Sequence, residues 1–598
     1  MSDSTRCPTT DNGALFACQG RLPRLPVPDL DGTLAKYARS LEPLLLPDEL
    51  AHSKSLIEEF KMSAQGRELQ QRLETRAADP SCANWLEDWW NNLSYMGYRD
   101  PVIPYVSYHY SFSDDPSCST AVERAAKLIE GAIVFRQEIV DGTLEPDMTR
   151  TTPLCSHSFN FMFNACRIPS IPSDHCQTST YNGNETIVVV RGGQFFVFSF
   201  LRNGSRLSAD EITATLEQIV QVADKNTAVP IGILTADNRD SWTKNRKVLL
   251  GLPGNKDLLD AIEASAFLVV LEKERPVTRE EFSHAVWHGS GRNRWFDKPC
   301  QFVVCDNARA GFCGEHSMMD GTPTLRLVEF AIAHASKLPT PSAARAKRDP
   351  EFRALHFQTS PAIVSAVKQA EELFATAVSK QNLRVLCFDA FGKEQIKQLG
   401  CSPDAFIQLV IQLAYTRLHG HARPTYESSM TRKFLHGRTE TCRSVTCDSV
   451  AWCASMADQN TDNAARIKLF RDALATHSLL VKEAVNGQGV DRHLLGLRML
   501  VKQGEKVPGI FEDPVYSYSS HWYLSTSQVS SENFTSYGWS EVTPKGYGIA
   551  YNICKNCLII HIICMRNEYG LDSDRLARSF ETAAKDVHDM ISGSPHKQ

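Results

Sequence analysis

The segment Gly314-Glu315-His316-Ser317-Met318-Met319-Asp320-Gly321 brings together residue types suited to acid–base chemistry within eight positions. An imidazole changes charge near neutral pH, so His316 can take a proton from an alcohol and hand it to a leaving group. Asp320, four residues later and followed by glycine, favours a tight turn that can fix the ring's orientation. It reads as structural support for His316 rather than as a proton carrier. His-x-x-x-Asp-Gly also arises by chance, so a purely structural histidine stands beside the catalytic one.

Other chemical motifs are incomplete. Gly289-x-Gly291 and Gly487-x-Gly489 begin dinucleotide fingerprints, but Arg294 and Arg492 stand where the third glycine belongs. A Walker loop, a Gly-x-Ser-x-Gly elbow and a His-Glu-x-x-His helix are all missing from the sequence. Cys554-x-x-Cys557 lies in a strand-like run with no second pair to complete a zinc site, so both read as reduced structural thiols. The expectation is no metal and no resident cofactor.

The elements that must position His316 alternate between strand and helix. Ile187 to Phe200 reads as a hairpin turning at Gly192-Gly193, and Gln301 to Cys305 as a buried strand closed by Asn307 and Gly311. Leu338 to Pro350 is proline-bounded and basic, which suggests a surface connection and a domain boundary around residues 340 to 365. Beyond it, Ile363, Val367, Ala370, Phe374 and Ala377 keep a helical period. Ser402-Pro403-Asp404 then supplies a cap, a first-turn proline and an early acid for a helix whose body, Phe406 to Arg417, is too apolar to be solvated. The fold class is α/β (α+β).

Composition narrows the classes. The 598 residues are 42% apolar and 22% charged, with a net charge of −5. That excludes a mostly disordered chain and gives no basic footprint for nucleic acid. The longest apolar run, Cys557 to Met565, is far short of the ~20 residues of a membrane helix. Eighteen scattered cysteines, no signal-peptide core in Met1 to Gly20 and a final Pro-His-Lys-Gln that is no peroxisomal tripeptide point to the cytoplasm. Peripheral association with mitochondria stays open.

The wider context of His316 gives a resemblance. His-x-x-x-Asp-Gly resembles the signature of chloramphenicol acetyltransferase-like, CoA-dependent acyltransferases. Leu22-Pro23-Arg24-Leu25-Pro26-Val27-Pro28, Asn293-Arg294-Trp295-Phe296-Asp297-Lys298, Thr425-Tyr426-Glu427-Ser428, Gly437-Arg438-Thr439, Asp491-Arg492-His493-Leu494-Leu495 and Leu524-Ser525-Thr526-Ser527-Gln528 follow in the order of the carnitine/choline acyltransferase family. The match runs from about residue 20 to 590. It implies an N-terminal tail (1–20), an N-terminal acyltransferase domain carrying the histidine (21–355) and a C-terminal domain with the substrate motifs (356–592). Each would be a chloramphenicol-acetyltransferase-like mixed sheet flanked by helices, with an active-site tunnel between them.

The resemblance also implies roles. His316 would deprotonate the carnitine hydroxyl, whose oxygen attacks the CoA thioester directly, and Ser527 would hydrogen-bond the oxyanion. Tyr426, Thr439 and Arg492 stand at the positions that bind the carnitine carboxylate, whereas choline enzymes carry an uncharged residue in place of Arg492 and lack the threonine. On its own, without the motif, Arg492 reads first as a structural ion pair with Asp491 or Glu483. Trp90 and Tyr95 match an aromatic segment that lines the carnitine side or simply fills core. Lys393 and Lys397, one helical turn apart, would grip the CoA 3′-phosphate, with Asp404, Ser525 and Gln528 as further CoA contacts.

Animal short-chain members carry a methionine that blocks the acyl pocket, and long-chain members a glycine. Alignment places Thr535 near that position, with Tyr537 or Trp539 as other blocking groups. The expected reaction is reversible transfer of an acetyl or other short acyl group between CoA and carnitine by a monomeric enzyme. Acetyl-CoA and carnitine are its partners, without nucleic acid. Medium-chain transfer, choline as acceptor, and an inactive relative that only binds CoA or acylcarnitine remain alternatives.

Overall fold

Residues 13–593 are described by a computed structural model. Residues 1–12, most of the expected tail, and residues 594–598, with the Pro-His-Lys-Gln terminus, lie outside the described residues. The contacts group into two units: Trp90–Lys380 with Asn533–Trp539 and the described part of Met1–Arg21, and Leu22–Trp89 with Gln381–Glu532 and the described part of Ser540–Gln598. The chain passes from one to the other at Lys380/Gln381, beyond the proline-bounded connection.

The first unit holds an eight-stranded mixed sheet, in the order Arg353–Leu355, Gln194–Ser199, Thr186–Arg191, Leu268–Glu272, Cys300–Cys305, Ala310–Gly314, Tyr108–Phe112 and Phe534–Gly538. Leu268–Glu272 pairs in parallel with both neighbours and is buried throughout, the pattern of a strand covered on both faces. The predicted hairpin forms, with Gly192-Gly193 between Thr186–Arg191 and Gln194–Ser199. The strand before His316 differs in one respect. Gly311 does not close a turn but lies inside Ala310–Gly314, and the chain reverses through Asp306–Ala308. Helices Ala121–Val140 and Gly321–Ala335 pack together. Pro361–Ser379 buries Ile363, Val367, Ala370 and Phe374 as its period predicts, while Ala377 is only half-buried.

The second unit holds a six-stranded mixed sheet, in the order Gln381–Phe388, Leu558–Met565, Tyr547–Ile553, Leu524–Val529, Thr425–Met430 and Thr439–Arg443. Against it lies Pro403–His419, buried from Ala405 to Tyr415. Each large apolar side chain removed from water there contributes about 1.5–3 kcal/mol. Pro403 and Asp404 occupy its first turn, but the Ser402 side chain makes no capping hydrogen bond, contrary to the cap its position predicts. The run Cys557 to Met565 is a buried strand rather than a helix, and among the described residues no helix is long and apolar enough to cross a membrane.

Candidate active site

His316 follows the last residue of the Ala310–Gly314 strand by two positions and precedes the helix Gly321–Ala335. Its ring stacks on Tyr95 (centroids 5.3 Å apart, planes at 21°) and meets Tyr108 edge-on at 5.1 Å. Tyr108 reaches the imidazole because residue 314 has no side chain: a Cβ there would sit 2.5 Å from the phenol ring. Tyr108 Oη lies 2.6 Å from Thr324 Oγ1, and Tyr110 Oη donates to the Gly321 carbonyl at 2.9 Å, which ties the strand Tyr108–Phe112 to the start of the helix. Burial raises both phenols far above the ordinary tyrosine value, so they act as neutral hydrogen-bonding groups. Asp320 is the residue preceding that helix. Its Oδ1 stands 3.7 Å from His316 Nδ1, beyond a direct hydrogen bond.

Behind His316 lies a buried ion network that local sequence patterns do not announce. Arg167 Nη1 meets Glu315 Oε1 at 3.1 Å, and Arg167 Nη2 donates to the Tyr95 carbonyl at 2.7 Å. Its Nε donates to Asp174 Oδ2 at 2.8 Å, an oxygen shared with Arg239 Nε at 2.7 Å. Arg239 also pairs with Asp297 at 2.8 Å, and Trp242 donates to that carboxylate at 2.7 Å. Burial opposes the charge on Asp174, but Arg239 and Arg167 outweigh it and hold the carboxyl below its usual value. Glu315 Oε2 receives the Ser317 amide and hydroxyl at 3.0 and 2.6 Å. The network thereby fixes both residues flanking His316 and the backbone of the tyrosine stacked on it.

The Asn293–Lys298 segment proves to be structural support. Asn293 Oδ1 accepts from the Gly193 amide, Arg294 binds Glu272 and the Ala285 carbonyl, and Lys298 Nζ donates to the carbonyls of Glu263 and Ser265. Trp90 meets Tyr95 edge-on at 6.4 Å, continuing the aromatic layer beside His316.

In the second unit the substrate motifs share one sheet. Tyr426 pairs in register with Ser525 and with Arg443, and Met430 with Thr439. With side chains alternating along each strand, Tyr426, Thr439, Ser525 and Ser527 project to the same face. Along Thr425–Met430, that face is half-buried while the other is buried. Gln528 lies on the opposite face, so the two expected CoA contacts Ser525 and Gln528 are not brought together.

On that other face Glu427 accepts from His477 Nε2 at 2.6 Å, Gln408 donates to Thr526 Oγ1 and Tyr551 Oη at 2.8 and 2.9 Å, and Tyr551 donates to Asp404 Oδ1 at 2.7 Å. Burial first, then the neighbouring Glu427, push the Asp404 carboxyl up to about 7. Burial opposes charge on His477, yet Glu427 outweighs it and raises the imidazole's value. Lys393 and Lys397 lie on the short helix Lys393–Gln398, the first half-buried and the second exposed.

Arg492 lies at the start of helix Asp491–Met499, 6% exposed, and its Nε donates to the Thr439 carbonyl at 3.1 Å. The two acids expected as its structural partners each also face another cation. Asp491 binds Arg443 through both oxygens at 2.9 Å, and Glu483 stands 3.8 Å from Lys36. The buried Glu440 also feels this guanidinium: burial pushes its carboxyl up to about 7 against the pull of Arg492.

Thr535, the expected acyl-pocket residue, is the extra residue at a bulge: Ser111 pairs with Ser536 and Phe112 with Phe534. Its hydroxyl donates to the Ser111 carbonyl at 3.4 Å. Tyr537 instead packs against Tyr110 at 5.7 Å, and Tyr110 against Tyr108 at 5.4 Å, the ring that meets His316.

A family model described as Choline/Carnitine o-acyltransferase matches residues 25–582. The chain is 36% identical to the mitochondrial carnitine O-acetyltransferase of Saccharomyces cerevisiae, covering 97% of this chain and 89% of the relative. It is 33% identical to carnitine O-acetyltransferase of Rattus norvegicus, covering 98% and 96%. Similarity extends to choline O-acetyltransferase of Sus scrofa at 31% identity, covering 96% and 92%. With its His-x-x-x-Asp-Gly segment, substrate motifs and two mixed sheets accounted for, the chain belongs to the choline/carnitine O-acyltransferase family.

Proposed function

We propose that this acyltransferase moves an acetyl or other short acyl group reversibly between CoA and the hydroxyl of carnitine. His316 takes the hydroxyl proton as the oxygen attacks the thioester carbon, then returns it to the CoA thiolate that departs. The acceptor is itself the nucleophile, so no acyl-enzyme forms. Ser527 donates a hydrogen bond to the oxyanion of the tetrahedral intermediate, an interaction whose removal typically costs about 3 kcal/mol of barrier. Arg492, with Tyr426 and Thr439, receives the carnitine carboxylate. Lys393 and Lys397 bind the CoA phosphate, and Asp404, Ser525 and Gln528, the last two from opposite faces of their strand, meet separate parts of its remaining length. The reading carries with it a cytosolic monomer without a resident cofactor.

The observation that supports carnitine over choline is the guanidinium of Arg492 itself, 6% exposed and bonded through Nε to the Thr439 carbonyl, a charged fork suited to a substrate carboxylate. Tyr537, buried against Tyr110, supports a short acyl chain. A series of acyl-CoAs assayed with carnitine tests this directly. The highest kcat/KM is expected for the shortest chains, and a maximum at medium chains would overturn the acetyl assignment.

A further inference from the structure

Cys554 and Cys557 were expected to sit within a strand as inert thiols. They face each other instead across the two-residue turn Lys555-Asn556 that joins Tyr547–Ile553 to Leu558–Met565. The Cys554 amide donates to the Cys557 carbonyl at 3.1 Å, which sets the two cysteines opposite each other, and the Cys554 thiol donates to the Ser531 carbonyl at 3.6 Å. Cys387, on the neighbouring strand Gln381–Phe388, pairs in register with Ile559, two residues beyond Cys557 and on the same face. Cys554 is buried, whereas Cys557 and Cys387 are only half-buried, so small solutes reach the cluster.

The neighbouring Cys557 thiol first, then the Lys393 ammonium, hold the Cys554 thiol below the ordinary cysteine value against the opposing effect of burial. For Cys557 the neighbouring Cys387 thiol lowers the value, but the Cys554 thiol and burial prevail and push it up to about 11. Glu532, whose Oε1 accepts the Lys555 amide at 2.7 Å, is the acid facing the turn. One member of the pair is thus biased toward the nucleophilic thiolate and the other toward the thiol.

The turn is also the seat of the lysine helix. The Lys393 amide donates to the Cys554 carbonyl at 2.9 Å and the Glu394 amide to the Lys555 carbonyl at 3.2 Å. Residue 392 is a glycine packed so closely that a Cβ would lie 2.4 Å from the Cys557 amide nitrogen and 2.7 Å from the Cys554 oxygen. Any movement of this turn is therefore passed by backbone contact to Lys393. A disulfide requires the two sulfurs to close to about 2.0 Å with a fixed dihedral geometry, well inside hydrogen-bonding separation.

We propose that Cys554 and Cys557 form an oxidation-sensitive dithiol that a hydroperoxide converts to a disulfide, displacing the lysine helix and weakening CoA binding. The Cys554 thiolate attacks the peroxide, whose O–O bond breaks. The departing oxygen leaves protonated as alcohol or water, and a sulfenic acid remains. The Cys557 sulfur then displaces that hydroxyl, which leaves as water with the thiol proton. Two thiols and one hydroperoxide give one disulfide, one alcohol (or water) and one water, and a thiol reductant restores the dithiol. The effect on CoA rests on the reading of Lys393 and Lys397 as phosphate ligands.

The full-length enzyme is treated with hydrogen peroxide, the oxidant is removed, and both KM values are measured beside a peptide map, with Cys557→Ser and Lys393→Ala in parallel. The expected result is a Cys554–Cys557 crosslink and a CoA KM raised about tenfold, equivalent to about 1.4 kcal/mol. The carnitine KM should hold, dithiothreitol should reverse the change, and Cys557→Ser should resist it. Thiols that stay reduced, or a crosslink between Cys387 and Cys557 instead, overturn the dithiol. A crosslink with unchanged CoA KM overturns its coupling to the helix. Lys393→Ala without a rise in CoA KM removes the lysine reading, independently of whether the crosslink forms.

Discussion

Arg167 Nη1 stands 3.1 Å from Glu315 Oε1, with both side chains almost wholly buried, and the same guanidinium holds the carbonyl of Tyr95. One cation therefore anchors the residue preceding His316 and the ring stacked upon it. Charged groups this deep are kept only when each is paired, and removing one partner leaves the other uncompensated. Under the proposed mechanism Arg167 is a positioning residue, acting on the reaction through the orientation of His316.

Glu315→Gln keeps the shape of that contact and removes its charge. A loosened imidazole should lower kcat about 10- to 100-fold, the order expected when a reacting group is misplaced by around an ångström. Both KM values should stay within about twofold, because neither substrate is bound by Glu315. Steady-state kinetics with a melting curve checks this. A lower melting temperature with intact kcat would assign Glu315 to stability alone.

Under the proposed function, Glu440 should make carnitine binding depend on pH. Its folded value, about 7, lies above the ordinary glutamate value, so the carboxyl is neutral at low pH and ionises as pH rises through 7. The stability it contributes is complete below the ordinary glutamate value and is lost as pH climbs through about 7. Once ionised, it competes with the carnitine carboxylate for Arg492. The carnitine KM should rise between pH 6 and 8, a range set by about one unit either side of that value. Glu440→Gln should flatten that rise and the parallel decline in melting temperature. A wild-type carnitine KM independent of pH across the range would contradict the coupling.

Arg492→Asn should raise the carnitine KM about 10- to 100-fold, the loss expected for a charge-assisted hydrogen bond of about 1.5–3 kcal/mol. The CoA KM should hold. Equal loss for both substrates would make Arg492 structural, in spite of the engagement of Asp491 with Arg443.

Tyr537→Gly removes a buried ring beside Tyr110 and should shift the preferred substrate from acetyl-CoA toward longer acyl-CoAs. Cavity formation should cost about 3–5 kcal/mol of stability, so the readout is the ratio of kcat/KM between chain lengths rather than the absolute rate. Thr535→Gly serves as the comparison and should leave the ratio unchanged. A larger shift in that variant would return the pocket to Thr535.

Features legible in the sequence were those set by local pattern. The Gly192-Gly193 hairpin and the Pro361–Ser379 and Pro403–His419 helices follow from turn chemistry and periodicity. The His316 segment was legible as well, because its residues are contiguous. Other features depend on distance through space. Arg167, Asp174 and Arg239 are dozens of residues apart from Glu315 and carry no motif, so their convergence behind His316 emerges only when the chain is folded. Asn533–Trp539 leaves its sequence neighbours to join the sheet of the first unit, and Leu22–Trp89 groups with the second. Neither exchange has a signature in composition. The bulge opposite Ser111 and Phe112, which sets Thr535 apart from the buried ring of Tyr537, also has no local signature. The turn between Cys554 and Cys557 was readable in principle from Lys555-Asn556, but the apolar flanks read as one continuous strand.

The central claim is a direct, histidine-dependent transfer to carnitine. The most direct measurement is thiol release from acetyl-CoA with carnitine or choline as acceptor, for the wild-type enzyme and for His316→Ala. The account predicts rapid release with carnitine, little with choline, and no acceptor-dependent release from the variant. Sustained carnitine-dependent release by His316→Ala, or faster release with choline by the wild type, would contradict it.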